Sequence, residues 1–141
     1  MSNIWAVILV FVCGFVSASA SASEGYLCIA DKATGFKLDA DRQQWQNVNF
    51  TADRKYVISQ RTDKVNKQYT WEVKEVGDST PSFLCEDFSH DVLHCEGLSA
   101  FHMNKKKLRY SRGDLLGYIY DPNPLVNTNM VSIEIGKCSP L

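Results

Sequence analysis

After its first two dozen residues, the chain has no stretch with apolar side chains at i, i+3, i+4 and i+7 behind a capping residue. That pattern is the signature of an amphipathic helix. Residues 40–45 and 125–130 come nearest, and both are short. Helical bundles and alternating βαβ architectures are thereby excluded. Also missing are a glycine-rich phosphate loop and the Gly-x-Ser-x-Gly elbow that presents a catalytic serine. There is no surplus of positive charge: 15 Lys and Arg stand against 16 Asp and Glu, a net charge of −1. Polyanion binding needs such a surplus, so nucleic acid is not an expected partner. Internal repeats and low-complexity segments are absent beyond the first residues.

The long apolar run lies at the start, from Ile4 to Val16, and a ladder of Ser and Ala follows it, including Ala18-Ser19-Ala20 and Ala20-Ser21-Ala22. Such a run ending in small residues reads as an export signal removed after residue 22. It departs from type in having no Lys or Arg ahead of the apolar core. The competing reading, a spanning helix, needs roughly 20 apolar residues. Cys13 lies within the run behind Phe11-Val12, not at its end behind a small residue, which argues against a lipid anchor. The expectation is a signal over residues 1–22 and one domain over 23–141. The domain would be periplasmic or secreted, with no membrane span left after cleavage.

Four of the five cysteines, Cys28, Cys85, Cys95 and Cys138, remain in that domain. An even number in an exported chain reads as disulfides. Of three possible pairings, the expected one is Cys85–Cys95 with Cys28–Cys138. The stretch from Cys85 to His102 is symmetric about His90. A hairpin centred on Ser89-His90-Asp91 therefore sets Cys85 opposite Cys95, Glu86 opposite His94 and Phe88 opposite Val92. The second bridge would tie the two ends of the domain together.

What fills the domain is short period-two runs separated by turn signals, the pattern of an all-β fold. Tyr69, Trp71 and Val73 alternate with Thr70, Glu72 and Lys74. By the same logic Val131, Ile133 and Ile135 face inward, and Ser132 and Glu134 face outward. Residues 26–39 read as a hairpin turning at Ala33-Thr34-Gly35. Further strands are expected at 44–50, 55–60, 82–88, 92–96, 99–104, 107–112 and 115–120, with firm loops at 77–82 and 121–124. About ten short antiparallel strands predict a single β-barrel or β-sandwich, with tied ends leaning towards closure.

The reactive side chains are few. His90, His94 and His102 with nearby carboxylates are a candidate metal site, but His-x3-His suits zinc on a helical face rather than on a hairpin. His102 is expected to face solvent. Consecutive Ser89, His90 and Asp91 cannot converge as a hydrolase triad does. Lys105, Lys106 and Lys107 read as a solvated hairpin tip opened by Asn104, with a patch for an anionic surface as the alternative. Arg112-Gly113-Asp114 reads as an ordinary turn. Trp45, Tyr118 and Tyr120 are candidate ligand-binding aromatics, whereas Trp71 belongs to the core. Asn49-Phe50-Thr51 is a glycosylation sequon, relevant only in a eukaryotic secretory pathway.

The segments "GYLCIADKATGFK", "KKKLRY" and "IEIGKCSPL", with Trp45 and Phe50, resemble a group of small exported bacterial proteins of unknown function. The resemblance implies a bacterial source and one self-contained domain, and no activity or site residue. The expected role is a non-enzymatic binding module for a small ligand, a glycan or a protein, without a cofactor. A metal-binding envelope protein and a hydrolase with scattered loop residues are the alternatives.

Overall fold

A computed structural model describes residues 24–63, 66–119 and 129–141. The expected signal and the 121–124 loop lie outside the described residues, as does Tyr120. Among the described residues nine strands are present: β1 Gly25–Asp39, β2 Gln44–Phe50, β3 Lys55–Gln60, β4 Trp71–Glu75, β5 Phe83–Ser89, β6 Val92–Glu96, β7 Ala100–Asn104, β8 Arg109–Asp114 and β9 Met130–Pro140. Eight of them, β1 and β3 to β9, pair antiparallel in chain order and close through a β1–β9 seam into a barrel, with β2 added beside β1. Barrel, not sandwich, is the answer. Among the described residues no helix is long and apolar enough to cross a membrane.

The expected hairpin at Ala33-Thr34-Gly35 does not exist, because residues 25–39 run on as one strand. Its first half pairs with β3 and its second half with β2, while β9 follows it along the other side. A bulge at Asp31, between Ala30 and Lys32, falls where the neighbour changes, and there it lets the strand bend. Gly35 serves close approach rather than a turn: a Cβ there would lie 1.9 Å from the Val131 carbonyl oxygen. The real turn follows at residues 40–43. There the Asp39 carboxylate accepts the Asp41 and Arg42 amides at 3.1 Å, and Gln43 takes a positive φ of 50°.

Both disulfides form as expected, Cys28–Cys138 and Cys85–Cys95, each between directly paired residues. They lie inside the barrel with Tyr26, Tyr56, Ile58, Trp71, Val73, Phe83, Leu93, Phe101, Met103 and Tyr110. Trp71 and Val73 thus face inward as the alternation implied. β9 does the opposite of what was expected. Glu134 points inward and is 5% exposed, while Ile133 is 51% exposed on the outer wall. The reason is parity: Ser132, Glu134, Gly136 and Cys138 share one side of the strand, and Cys138 is held inside by its bridge to Cys28.

Three smaller corrections concern β5, β8 and the segment after it. Cys85 and Glu86 do face Cys95 and His94, but a register shift between Asp87 and Ser89 pairs Ser89, not Phe88, with Val92. Phe88 is squeezed out of the ladder and left 74% exposed, as a bulged residue is. Arg112-Gly113-Asp114 lies within β8 rather than in a turn. Beyond it, residues 116–118 form a single 3₁₀ turn where a strand was expected.

Candidate functional site

The barrel has two chemically different mouths and a polar knot within. At one mouth are the β5–β6 and β7–β8 turns, where Glu24, Tyr26, Asp87, Ser89, His90, Asp91, Lys105 and Lys106 line an open recess of about 690 Å³. Asp87 organises it, accepting from Thr70 Oγ1 and Trp71 Nε1 at 3.2 Å and pairing with Lys105 Nζ at 2.6 Å. Those donors hold the Asp87 carboxyl below the usual range against the burial that opposes them. Lys105 therefore lies over the Trp71 ring, 5.4 Å from its centroid, and is not the solvated tip residue that was expected. Lys106 and Lys107 do lie on the turn, which Asn104 Oδ1 opens by accepting the Lys107 amide at 2.7 Å. The Ser89-His90-Asp91 triplet spans the end of β5 and the following turn and lines the same recess.

At the other mouth the side chains are apolar. Leu98 from the β6–β7 loop meets Leu115 and Leu116 around a recess of about 470 Å³, bounded by His94 and Glu96. The segment continues to Tyr118, which packs on Trp45 with ring centroids 5.3 Å apart. Two of the three candidate aromatics, Trp45 from β2 and Tyr118 from the 3₁₀ turn, are thus brought together from segments remote in sequence. Leu98, Leu115, Tyr118 and Ile119 are all exposed, Ile119 at 70%.

Inside the barrel Glu134 Oε1 accepts from Tyr56 at 3.1 Å and from Tyr110 at 3.0 Å, and Arg112 Nη1 donates to the Tyr56 oxygen at 3.1 Å. Arg112 is also the direct cross-strand partner of Glu134, so opposite charges face each other across the β8–β9 ladder. Gly136 makes room for this knot, because a Cβ there would sit 2.3 Å from the Tyr110 ring. A smaller recess of about 230 Å³, lined by Arg54, Asp53, Ser132 and Glu134, opens beside it. Burial, and then the Glu134 charge, push the Tyr56 and Tyr110 hydroxyls far above the usual phenol range.

A pH dependence follows from that direction. In the unfolded chain tyrosines ionise near pH 10, whereas in the fold both keep their protons beyond it. The folded state then binds more protons than the unfolded one, so stability is complete below about pH 10 and falls as pH rises further. Denaturant midpoints at about pH 8 and about pH 11 check this, alongside absorbance titration of tyrosinate. Tyr56→Phe with Tyr110→Phe should flatten the fall, and an unchanged alkaline slope in that variant would refute it.

The three histidines part company. His90 stays at the β5–β6 turn, but His94 and His102 are cross-strand partners on the outer wall, with His94 Nδ1 2.8 Å from His102 Nε2. His102 is half-buried against its expected solvent position, and burial followed by the His94 charge lowers its pKa. Among the described residues no group of three or more His, Cys, Asp or Glu side chains is arranged to hold a metal ion. The candidate three-histidine set is therefore not assembled among the described residues.

Sequence reasoning missed Glu134, Asp87, the recess shared by Leu98 and Leu115, and the His94–His102 pair. A signal for the last was present: the register that put Cys85 opposite Cys95 leaves only the β6–β7 turn to be chosen. For Glu134 the signal was its even spacing from Cys138. Comparison of the chain with protein-family models, with curated proteins and with solved structures gives no match.

Proposed function

We propose that the chain is an exported binding module that docks a protein partner on the apolar mouth of its barrel. The observation carrying this reading is the exposure of Leu98, Leu115, Tyr118 and Ile119 at one end of a barrel whose interior is already filled by side chains. Scattered exposed apolar residues are ordinary, but a group of them at one end, bordered by polar residues such as Glu96, has the composition of an interaction patch. The filled interior favours a surface partner over a small apolar ligand held inside. Two disulfides persist in an oxidising compartment. Together with the apolar leader over residues 1–22 and the resemblance to small exported bacterial proteins, they support a periplasmic or secreted location.

The test compares wild-type protein with a Leu115→Lys/Ile119→Lys variant and a Lys106→Glu control, each offered to proteins of the compartment that holds the chain. Wild type and control should retain one stoichiometric partner, and the variant should release it while keeping its melting temperature. Equal retention by all three, or no stoichiometric partner, overturns the reading.

A further inference from the structure

We infer that His94 and His102 form a two-imidazole site for a tetragonal divalent transition ion, copper(II) foremost, on the outer wall of the barrel. The inference does not rest on the docking reading, although His94 also bounds the apolar recess, because the pair itself lies across β6 and β7. In place of the three-histidine candidate weighed from sequence it takes a pair that the sheet itself holds in place.

The geometry is the first argument. Imidazole nitrogens bind such metals at about 2.0–2.1 Å, so two of them on one ion are separated by roughly 2.8 Å at a right angle and 3.4 Å at the tetrahedral angle. His94 Nδ1 and His102 Nε2 are 2.8 Å apart, a separation set in the free protein by the hydrogen bond between them and matching the right-angle value once each ring turns to aim its lone pair at the ion. Square-planar and tetragonal coordination is the preference of copper(II) and nickel(II), not of zinc, and copper(II) also heads the affinity order for nitrogen ligands. The ring centroids are 4.7 Å apart with planes inclined by 50°, so the rings meet edge to edge instead of stacking.

Rigidity is the second argument. Both residues belong to regular strands and are paired in register, which fixes their Cα separation without a loop. The bulge in β5 turns Phe88 out of the ladder and onto His94, with ring centroids 6.2 Å apart. An exposed phenylalanine otherwise without a purpose thereby limits the rotation of one ligand. On the other side of His94 lies its β5 partner Glu86, whose carboxylate accepts from Gln68 Nε2 at 3.2 Å. Glu86, His94 and His102 thus form one row across three strands, with an anionic group next to the pair that lowers the energy of a bound cation.

Proton balance is simple. In the metal-free pair one ring nitrogen donates to the other. Binding needs both lone pairs, so the bridging proton moves to the second nitrogen of its own ring. Two protein nitrogens leave the remaining equatorial positions to water, which sets this site apart from a closed structural zinc site.

The experiment is a titration of the oxidised protein with copper(II) chloride, followed by calorimetry and electron paramagnetic resonance. One copper per chain is expected, with a spectrum showing coupling to two imidazole nitrogens. His94→Gln and His102→Gln should each weaken binding by about tenfold or more, while His90→Gln should leave it unchanged. Equal weakening by His90→Gln, or unaltered binding in the His94→Gln/His102→Gln variant, overturns the inference. The spectrum of the unmutated protein is decisive even where a variant folds poorly, because coupling to fewer than two imidazoles refutes the site directly.

Discussion

Replacing Cys28 and Cys138 together by serine is expected to remove about 4–5 kcal/mol of folding stability on the chain-entropy model. The bridge spans 110 residues of chain, so its loss releases the unfolded state from a very large loop constraint. It also sits within the β1–β9 seam, the contact through which the barrel closes. Cys85 and Cys95 are separated by only 10 residues and close a hairpin that already pairs locally. Their replacement by serine should cost about 2.5–3 kcal/mol. Domains of this size have roughly 5–15 kcal/mol in total, so the first variant loses about a quarter of its stability or more. Guanidinium unfolding of the two double variants, without reductant, measures the difference. A smaller loss for the Cys28/Cys138 variant than for the Cys85/Cys95 variant would contradict the role assigned to the seam.

The second large effect is expected at Gly35. A methyl group there would lie 1.9 Å from the Val131 carbonyl oxygen and 2.9 Å from the Ser132 Cα, all of it backbone that cannot rotate away. Relief requires β1 and β9 to separate along the stretch where Gly35 pairs with Ser132 and Phe36 with Val131. Overpacking that can relax costs about 1–3 kcal/mol. This one cannot relax without breaking ladder bonds, so Gly35→Ala should reach about 3 kcal/mol or more, a fall of roughly 10 °C in melting temperature. Gly113→Ala is the control, because the nearest atom to its added Cβ is a Leu115 side-chain carbon at 3.8 Å. Equal melting temperatures for the two variants would show that the seam is looser than its geometry.

These residues also mark how far the sequence could be read. The all-β class, both disulfides and most strand positions were legible, because period-two alternation and an even cysteine count are local signals. Gly35 was not, since a glycine after Ala33-Thr34 announces a turn, and only the position of β9 reveals why a side chain is excluded. The orientation of β9 was misread for a related reason. Alternation tells that two faces differ but not which is inside. Hydrophobicity favoured Ile133 and Ile135, whereas the parity of Cys138 decided for Glu134. A buried carboxylate is costly unless paired, so its partners Tyr56, Tyr110 and Arg112, drawn from β3 and β8, had to be known first. The His94–His102 pair depended on one unread quantity, the length of the β6–β7 turn. The apolar mouth depended on tertiary placement alone, which joins Leu98 to Leu115 and Trp45 to Tyr118.

The double partnership of β1 has a kinetic consequence. Every other ladder of the ring joins strands adjacent in the chain, from β3 with β4 through to β8 with β9. These can zip up in sequence as local hairpins on microsecond scales. β1 cannot join that progression from both sides until β9 is available, since Tyr26 pairs with Pro140 and Lys37 with Met130. The rate-limiting event is therefore a single search between the two most distant strands, and contacts of such separation make folding slow. Until it ends, the meander from β3 to β9 is an open sheet whose edges have not met. That unclosed interval, not the finished barrel, is where the chain is most exposed to aggregation or to a helper that binds strand edges.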